Sequence, residues 1–111
     1  MKYGLSEKTI ARMQEVLARF PEVEQAVLYG SRAKGNFKTG SDIDLTLKGP
    51  NLTYEIRSKI DTALDDLDLP YTIDLSLFAT LNHRDLIEHI ERVGAVFYQR
   101  PGTGPADPTS V

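Results

Sequence analysis

Two aspartates one residue apart, Asp42 and Asp44, stand in the stretch Gly40-Ser41-Asp42-Ile43-Asp44-Leu45. Side chains alternate faces along a β-strand, so carboxylates at i and i+2 project the same way, about 7 Å apart along the backbone. Two anions held side by side favour cations between them. A divalent metal with a nucleoside triphosphate fits that need, because Mg²⁺ takes one or two protein carboxylates and completes its shell with phosphate oxygens and water. A third acid, Asp74, shares the outward parity of Thr72 and Ser76 in a second alternating stretch. Pairing the two strands in suitable register brings three carboxylates together. Like charges within about 4–6 Å raise one another's pKa unless a cation compensates. Two Mg²⁺ ions with a triphosphate supply the compensation and bridge the attacking and leaving oxygens of an in-line displacement.

Such chemistry also needs a cradle for phosphate. Gly30-Ser31 follows directly on an apolar stretch, Ala26-Val27-Leu28-Tyr29. Glycine lets the backbone approach a ligand closely, and Ser31 offers an amide and a hydroxyl to phosphate oxygens. Arg32, Lys34 and Lys38 follow with no acid among them, and Ser41 adds a further nucleotide-binding candidate. Spacing leaves open which basic residue faces inward; a charge-assisted phosphate contact and plain surface solubility compete at each. A P-loop is excluded, because Asn36-Phe37 stands where Lys-Ser/Thr is required. His83 and His89 are six residues apart and do not share a helix face, so exposed helix histidines are expected rather than a joint metal site. The five tyrosines are assigned no special role.

The elements that must position these groups are legible from periodicity. Ile10, Met13, Val16, Leu17 and Phe20 recur at helical spacing after Ser6, a candidate N-cap, and Pro21 ends the run. Val23 to Tyr29 reads as a strand covered on both faces. Residues 32–40 read as a loop, with a short helical turn after Ser31. Asp42 to Lys48 alternates, with Ile43, Leu45 and Leu47 facing inward. Gly49-Pro50-Asn51 turns into a second amphipathic helix marked by Leu52, Ile56, Ile60, Ala63, Leu64 and Leu67. Tyr71 to Phe78 is a third strand. Asn82 or Thr80 is the expected cap of a last helix closed by Gly94, followed by a short segment, Ala95-Val96-Phe97-Tyr98.

The chain has 111 residues, enough for one domain, expected over 1–100. Residues 101–111 hold three prolines and two glycines, and a disordered tail is expected there. Hydrophobic residues at 41% and charged residues at 26% are those of a globular protein, and no apolar run approaches a membrane span. Met1 to Glu7 leads into no apolar stretch, so no secretory leader is expected. The absence of cysteine excludes disulfides and thiolate metal sites and fits the cytoplasm. A net charge of −3 argues against strong direct nucleic-acid binding. The expected architecture is α+β: a small mixed sheet with carboxylates on one face and helices packed on the other.

Leu28-Tyr29-Gly30-Ser31-Arg32-Ala33-Lys34-Gly35, then Gly40-Ser41-Asp42-Ile43-Asp44-Leu45, then Ile73-Asp74-Leu75 resembles the minimal nucleotidyltransferases of the DNA polymerase β superfamily. The resemblance implies the palm-like nucleotidyltransferase fold. It implies Asp42 and Asp44 as metal ligands, with Asp74 as the third carboxylate that helps deprotonate the attacking hydroxyl. By the same resemblance Gly30 and Ser31 hold the nucleotide phosphates. Relatives often carry arginine at the position of Lys34, and lysine there acts only as a point charge. The implied cofactor is Mg²⁺, two ions, with Mn²⁺ as the alternative, and the implied substrate is ATP. The small size is typical of members paired with a helical protein. Such a partner is either a HEPN-type toxin, whose tyrosine receives AMP from its antitoxin, or a substrate-binding bundle subunit that presents a small-molecule hydroxyl. A binding module that occludes its partner without chemistry is the rival from another class.

Overall fold

The computed structural model describes residues 1–102; the expected tail, from residue 103 onward, lies outside the described residues. Helix α1 spans Glu7–Ala18, and the Ser6 hydroxyl caps it by accepting from the Thr9 amide at 3.1 Å. A cap of this kind is worth about 1 kcal/mol. Strand β1 (Gln25–Tyr29) leads into a one-turn helix, α2 (Ser31–Lys34), and strand β2 covers Ile43–Lys48. Helix α3 (Tyr54–Asp65) begins at Thr53, whose hydroxyl accepts from the Ile56 amide at 3.2 Å. Strand β3 (Ile73–Leu77) passes through a single 3₁₀ turn at Phe78–Thr80 to helix α4 (Arg84–Val93) and strand β4 (Ala95–Gln99).

The four strands form one mixed sheet in the order β3-β2-β1-β4. β1 is antiparallel to both β2 and β4, while β3 runs parallel to β2 after crossing over through α3. Ala26, Leu28, Ile43, Leu45, Leu47, Leu75, Leu77 and Phe97 point to one face and join Met13 and Leu17 of α1 and Ile60 and Leu64 of α3 in the main core. Burying each such aliphatic side chain contributes roughly 1.5–3 kcal/mol before the entropy cost of ordering it.

Helix α4 departs from the pattern set by α1 and α3. It packs on the opposite face, where Ile90 joins Val27 and Tyr29 in a second, smaller cluster. Its cap also differs from expectation. His83 occupies the N-cap and accepts from the Leu86 amide through Nδ1 at 3.2 Å. Thr80 is committed to the preceding 3₁₀ turn, its hydroxyl donating to the Leu77 carbonyl at 2.9 Å, and the helix starts after Asn82. Gly94 does follow α4, but with φ −61°, so no left-handed cap forms. Space is what requires glycine here, since a Cβ would overlap the Ile90 carbonyl and press on Val27. The short segment after it is the edge strand β4, with a bulge opposite Ala26 and Val27.

Candidate active site

Residues opposite one another in a sheet share a face, and the register therefore assembles the site. Asp44 is paired with Asp74 across the parallel β2–β3 ladder and with Tyr29 across the antiparallel β1–β2 ladder. Thr46 pairs with Ser76 one step along. Tyr29, Asp44, Asp74 and Ser76 consequently stand on one face, with Asp42 just before β2 on the same parity. Asp42 and Asp74 are exposed and Asp44 is half-buried.

Burial is the largest cause holding the Asp44 carboxyl above its ordinary range, and the charges of Asp74 and Asp42 push it the same way. His89 pulls in the opposite direction. The Tyr29 phenol is also raised, first by burial and then by Asp74 and Asp44, against a hydrogen bond with Ser76 that lowers it. The helix-surface ion pairs Arg19–Glu15 and Lys59–Glu55, each at 3.6 Å, involve none of the three site acids.

Gly30 adjoins this cluster at the end of β1. Its φ of 76° and ψ of −156° suit glycine alone, and any Cβ would overlap the Asp44 carboxylate. The turn places Ser31 at the start of α2, half-buried beside the acids' strand, while the Gly30 carbonyl accepts from the Lys34 amide at 3.1 Å.

The basic residues of this region divide sharply. Lys34 and Lys38 are exposed and within reach of solvent anions. Arg32 turns inward and is only 3% exposed. Its Nε and Nη2 donate to the Ser41 carbonyl at 3.0 and 2.8 Å, and its Nη1 donates to the Tyr3 carbonyl at 2.7 Å. The guanidinium also lies between the Phe37 and Tyr71 rings, 5.2 and 4.8 Å from their centroids. These contacts brace the residue preceding Asp42 against Tyr3, so Arg32 is neither a surface residue nor extended toward solvent. Ser41 is likewise engaged in the loop, its hydroxyl accepting from the Lys38 amide at 2.8 Å.

His89 departs from the exposed helix histidine expected of it, being half-buried because α4 docks on the site face, and Tyr29 joins it there without having been assigned a role. The His89 Nε2 accepts from the Gly30 amide at 3.1 Å, and its ring meets Tyr29 edge-on. For Tyr29 a signal existed, since it precedes Gly30 and lies across from the acids' strand once β1 and β2 pair. For His89 none did, because the docking of α4 on that face has no periodic signature.

Metal fit follows from the donor chemistry. Among the described residues no three His, Asp or Glu side chains converge into a preformed cage. Mg²⁺ does not need one, as it binds through one or two carboxylates plus substrate oxygens. Hard oxygen donors whose mutual repulsion raises Asp44 suit such an ion.

A mixed four-stranded sheet with this crossover and carboxylate face is the polymerase beta nucleotidyltransferase fold, an α+β architecture. Residues 11–102 match the family described as Polymerase beta, Nucleotidyltransferase, and the chain belongs to that family. It is 34% identical over 76 residues to the probable protein adenylyltransferase MntA of Haemophilus influenzae. The alignment covers 68% of this chain and 66% of that protein, just under two thirds of its length. Among solved structures, a toxin–antitoxin with AMP-PNP superposes with a TM-score of 0.64 at 21% identity, over 87% of this chain and 76% of that one. The complex of a tri-AMPylated Shewanella oneidensis HEPN toxin with its MNT antitoxin gives 0.64 at 17% identity, over 86% and 74%. At these identities the structural likeness concerns the fold. No described helix is long and apolar enough to cross a membrane.

Proposed function

We propose that this chain is a metal-dependent adenylyltransferase that moves AMP from ATP onto a hydroxyl of a helical HEPN-type partner and thereby acts as its antitoxin in the cytoplasm. The observation that carries the reading is the register pairing of Asp44 with Asp74 on the sheet face beside the Gly30–Ser31 turn. Likeness to the probable protein adenylyltransferase MntA and to the MNT antitoxin bound to an AMPylated HEPN toxin supports the reading.

Asp42 and Asp44 would hold Mg²⁺, which, when bound, neutralises phosphate charge and favours in-line displacement. The Ser31 amide and hydroxyl hold the β- and γ-phosphates, with Lys34 adding a point charge. The acceptor oxygen bonds to the α-phosphorus as the bond to the bridging oxygen of the β-phosphate breaks, and pyrophosphate leaves. Asp74 orients the acceptor hydroxyl and takes its proton. Asp42 and Asp74 lie exposed on that face, so the acceptor reaches them from outside the chain.

The test is transfer of label from α-labelled ATP to a co-purified HEPN partner. Labelling is expected with the wild type and absent with Asp42→Asn/Asp44→Asn. Equal labelling by both proteins overturns the reading.

A further inference from the structure

The turn that begins α2 is gripped from two sides, and neither grip is local. On one side the Asp44 carboxylate fills the space where a Gly30 side chain would be. On the other, His89 Nε2 accepts the Gly30 amide at 3.1 Å across 59 residues of chain. His89 itself is well seated. Its ring centroid is 6.3 Å from that of Tyr29 at 80°, and the next residue, Ile90, is buried against Val27 and Tyr29. A glycine has no side chain to restrict its peptide, so its orientation must be imposed by neighbours.

We infer that His89 is a positioning residue. By accepting the Gly30 amide it sets the peptide from which α2 starts and so aims the Ser31 amide and hydroxyl at the nucleotide phosphates. The identity of the ligand rests on the transferase reading, whereas the grip on Gly30 does not. The contact requires a lone pair on Nε2, which places the imidazole proton on Nδ1. It also removes the Gly30 amide from the donors available to phosphate, leaving Ser31 as the first donor of the cradle. The glutamine Oε1 can stand where Nε2 does and accept the same amide, while alanine offers nothing.

The full chain is compared as wild type, His89→Ala and His89→Gln. Readouts are calorimetric binding of ATP with Mg²⁺, KM and kcat for partner labelling, and hydrogen exchange of the Gly30 amide without nucleotide. His89→Ala is expected to weaken ATP binding and raise KM about tenfold, the scale of one hydrogen bond, with kcat within about threefold. Its Gly30 amide should exchange faster, and His89→Gln should restore both affinity and protection. Wild-type ATP affinity in His89→Ala overturns the inference, and so does a folded His89→Gln as impaired as the alanine variant. Failure of the wild type to bind ATP would sink the transferase reading instead. In that case Gly30 exchange decides the positioning alone: faster in His89→Ala supports it, unchanged overturns it.

Discussion

The Asp44 carboxylate occupies the place of the side chain that Gly30 lacks. One residue supplies a proposed metal ligand and the other the entrance to the phosphate turn, and the absent Cβ is what lets them touch. Gly30→Ala therefore meets two obstacles, the overlap with Asp44 and a φ of 76°. Backbone strain of this kind costs about 1–3 kcal/mol, which lowers the melting temperature by roughly 5–20 °C in a domain of this size. Thermal denaturation checks the stability, and ATP calorimetry should show binding lost in the variant at a temperature where it remains folded.

Asp44→Asn should separate stability from activity. Asp44 is raised by burial, Asp74 and Asp42, so the native state holds its proton more tightly than the unfolded chain does. This group's ionisation therefore opposes folding. Its penalty is absent below the ordinary carboxylate range, grows as pH rises from there through the raised native value, and is full above it. The asparagine variant should melt a few degrees above wild type at neutral pH without metal, and the two should converge in acid. Solvent screening of a half-exposed group keeps the difference small. An Asp44→Asn melting curve below wild type at pH 7 would contradict the repulsion inferred here.

Magnesium should reverse that order. An ion that binds only the native state stabilises it in proportion to the logarithm of its concentration over Kd. Titrating Mg²⁺ with ATP should raise the wild-type melting temperature progressively, while Asp42→Asn/Asp44→Asn stays flat.

Asp74→Asn should impair the chemical step and leave nucleotide binding intact. Loss of a positioned general base costs about 10²–10⁴ in rate. Single-turnover labelling of the partner would show the fall, with ATP affinity within about threefold of wild type because Ser31 and the Asp42–Asp44 pair are untouched.

Arg32→Lys should destabilise by about 2–4 kcal/mol, since a lysine cannot reproduce a planar fork serving two carbonyls. The Ser41 and Tyr3 carbonyls would lose donors, and the loop before Asp42 would loosen. Denaturation midpoints check the stability, and partner labelling should fall more steeply than global unfolding explains.

Much of this architecture could be read from residues alone because it is written in short periods. The alternation of Ile43, Leu45 and Leu47 places Asp42 and Asp44 on the opposite parity, and the same alternation around Asp74 makes the strands compatible. Helix α1 announces itself through spacing and its Ser6 cap, and α3 through spacing alone. The inward turn of Arg32 was hidden because a guanidinium surrounded by polar sequence looks like surface. Only the folded loop brings Ser41, Tyr3, Phe37 and Tyr71 around it. The same limit applies to His89, whose partner is a backbone amide 59 residues away. Side chain to main chain contacts over such distances leave no pattern in composition or period.

The brace around Arg32 is built from carbonyl dipoles and ring faces, with no carboxylate in it. Salt has no ion pair to compete for in that seat, as it would have at a surface pair. Brine and mild acid should therefore disarm the aspartates long before they dislodge the loop that carries them. A sample recovered from either should regain full activity on simple dilution, without having to refold.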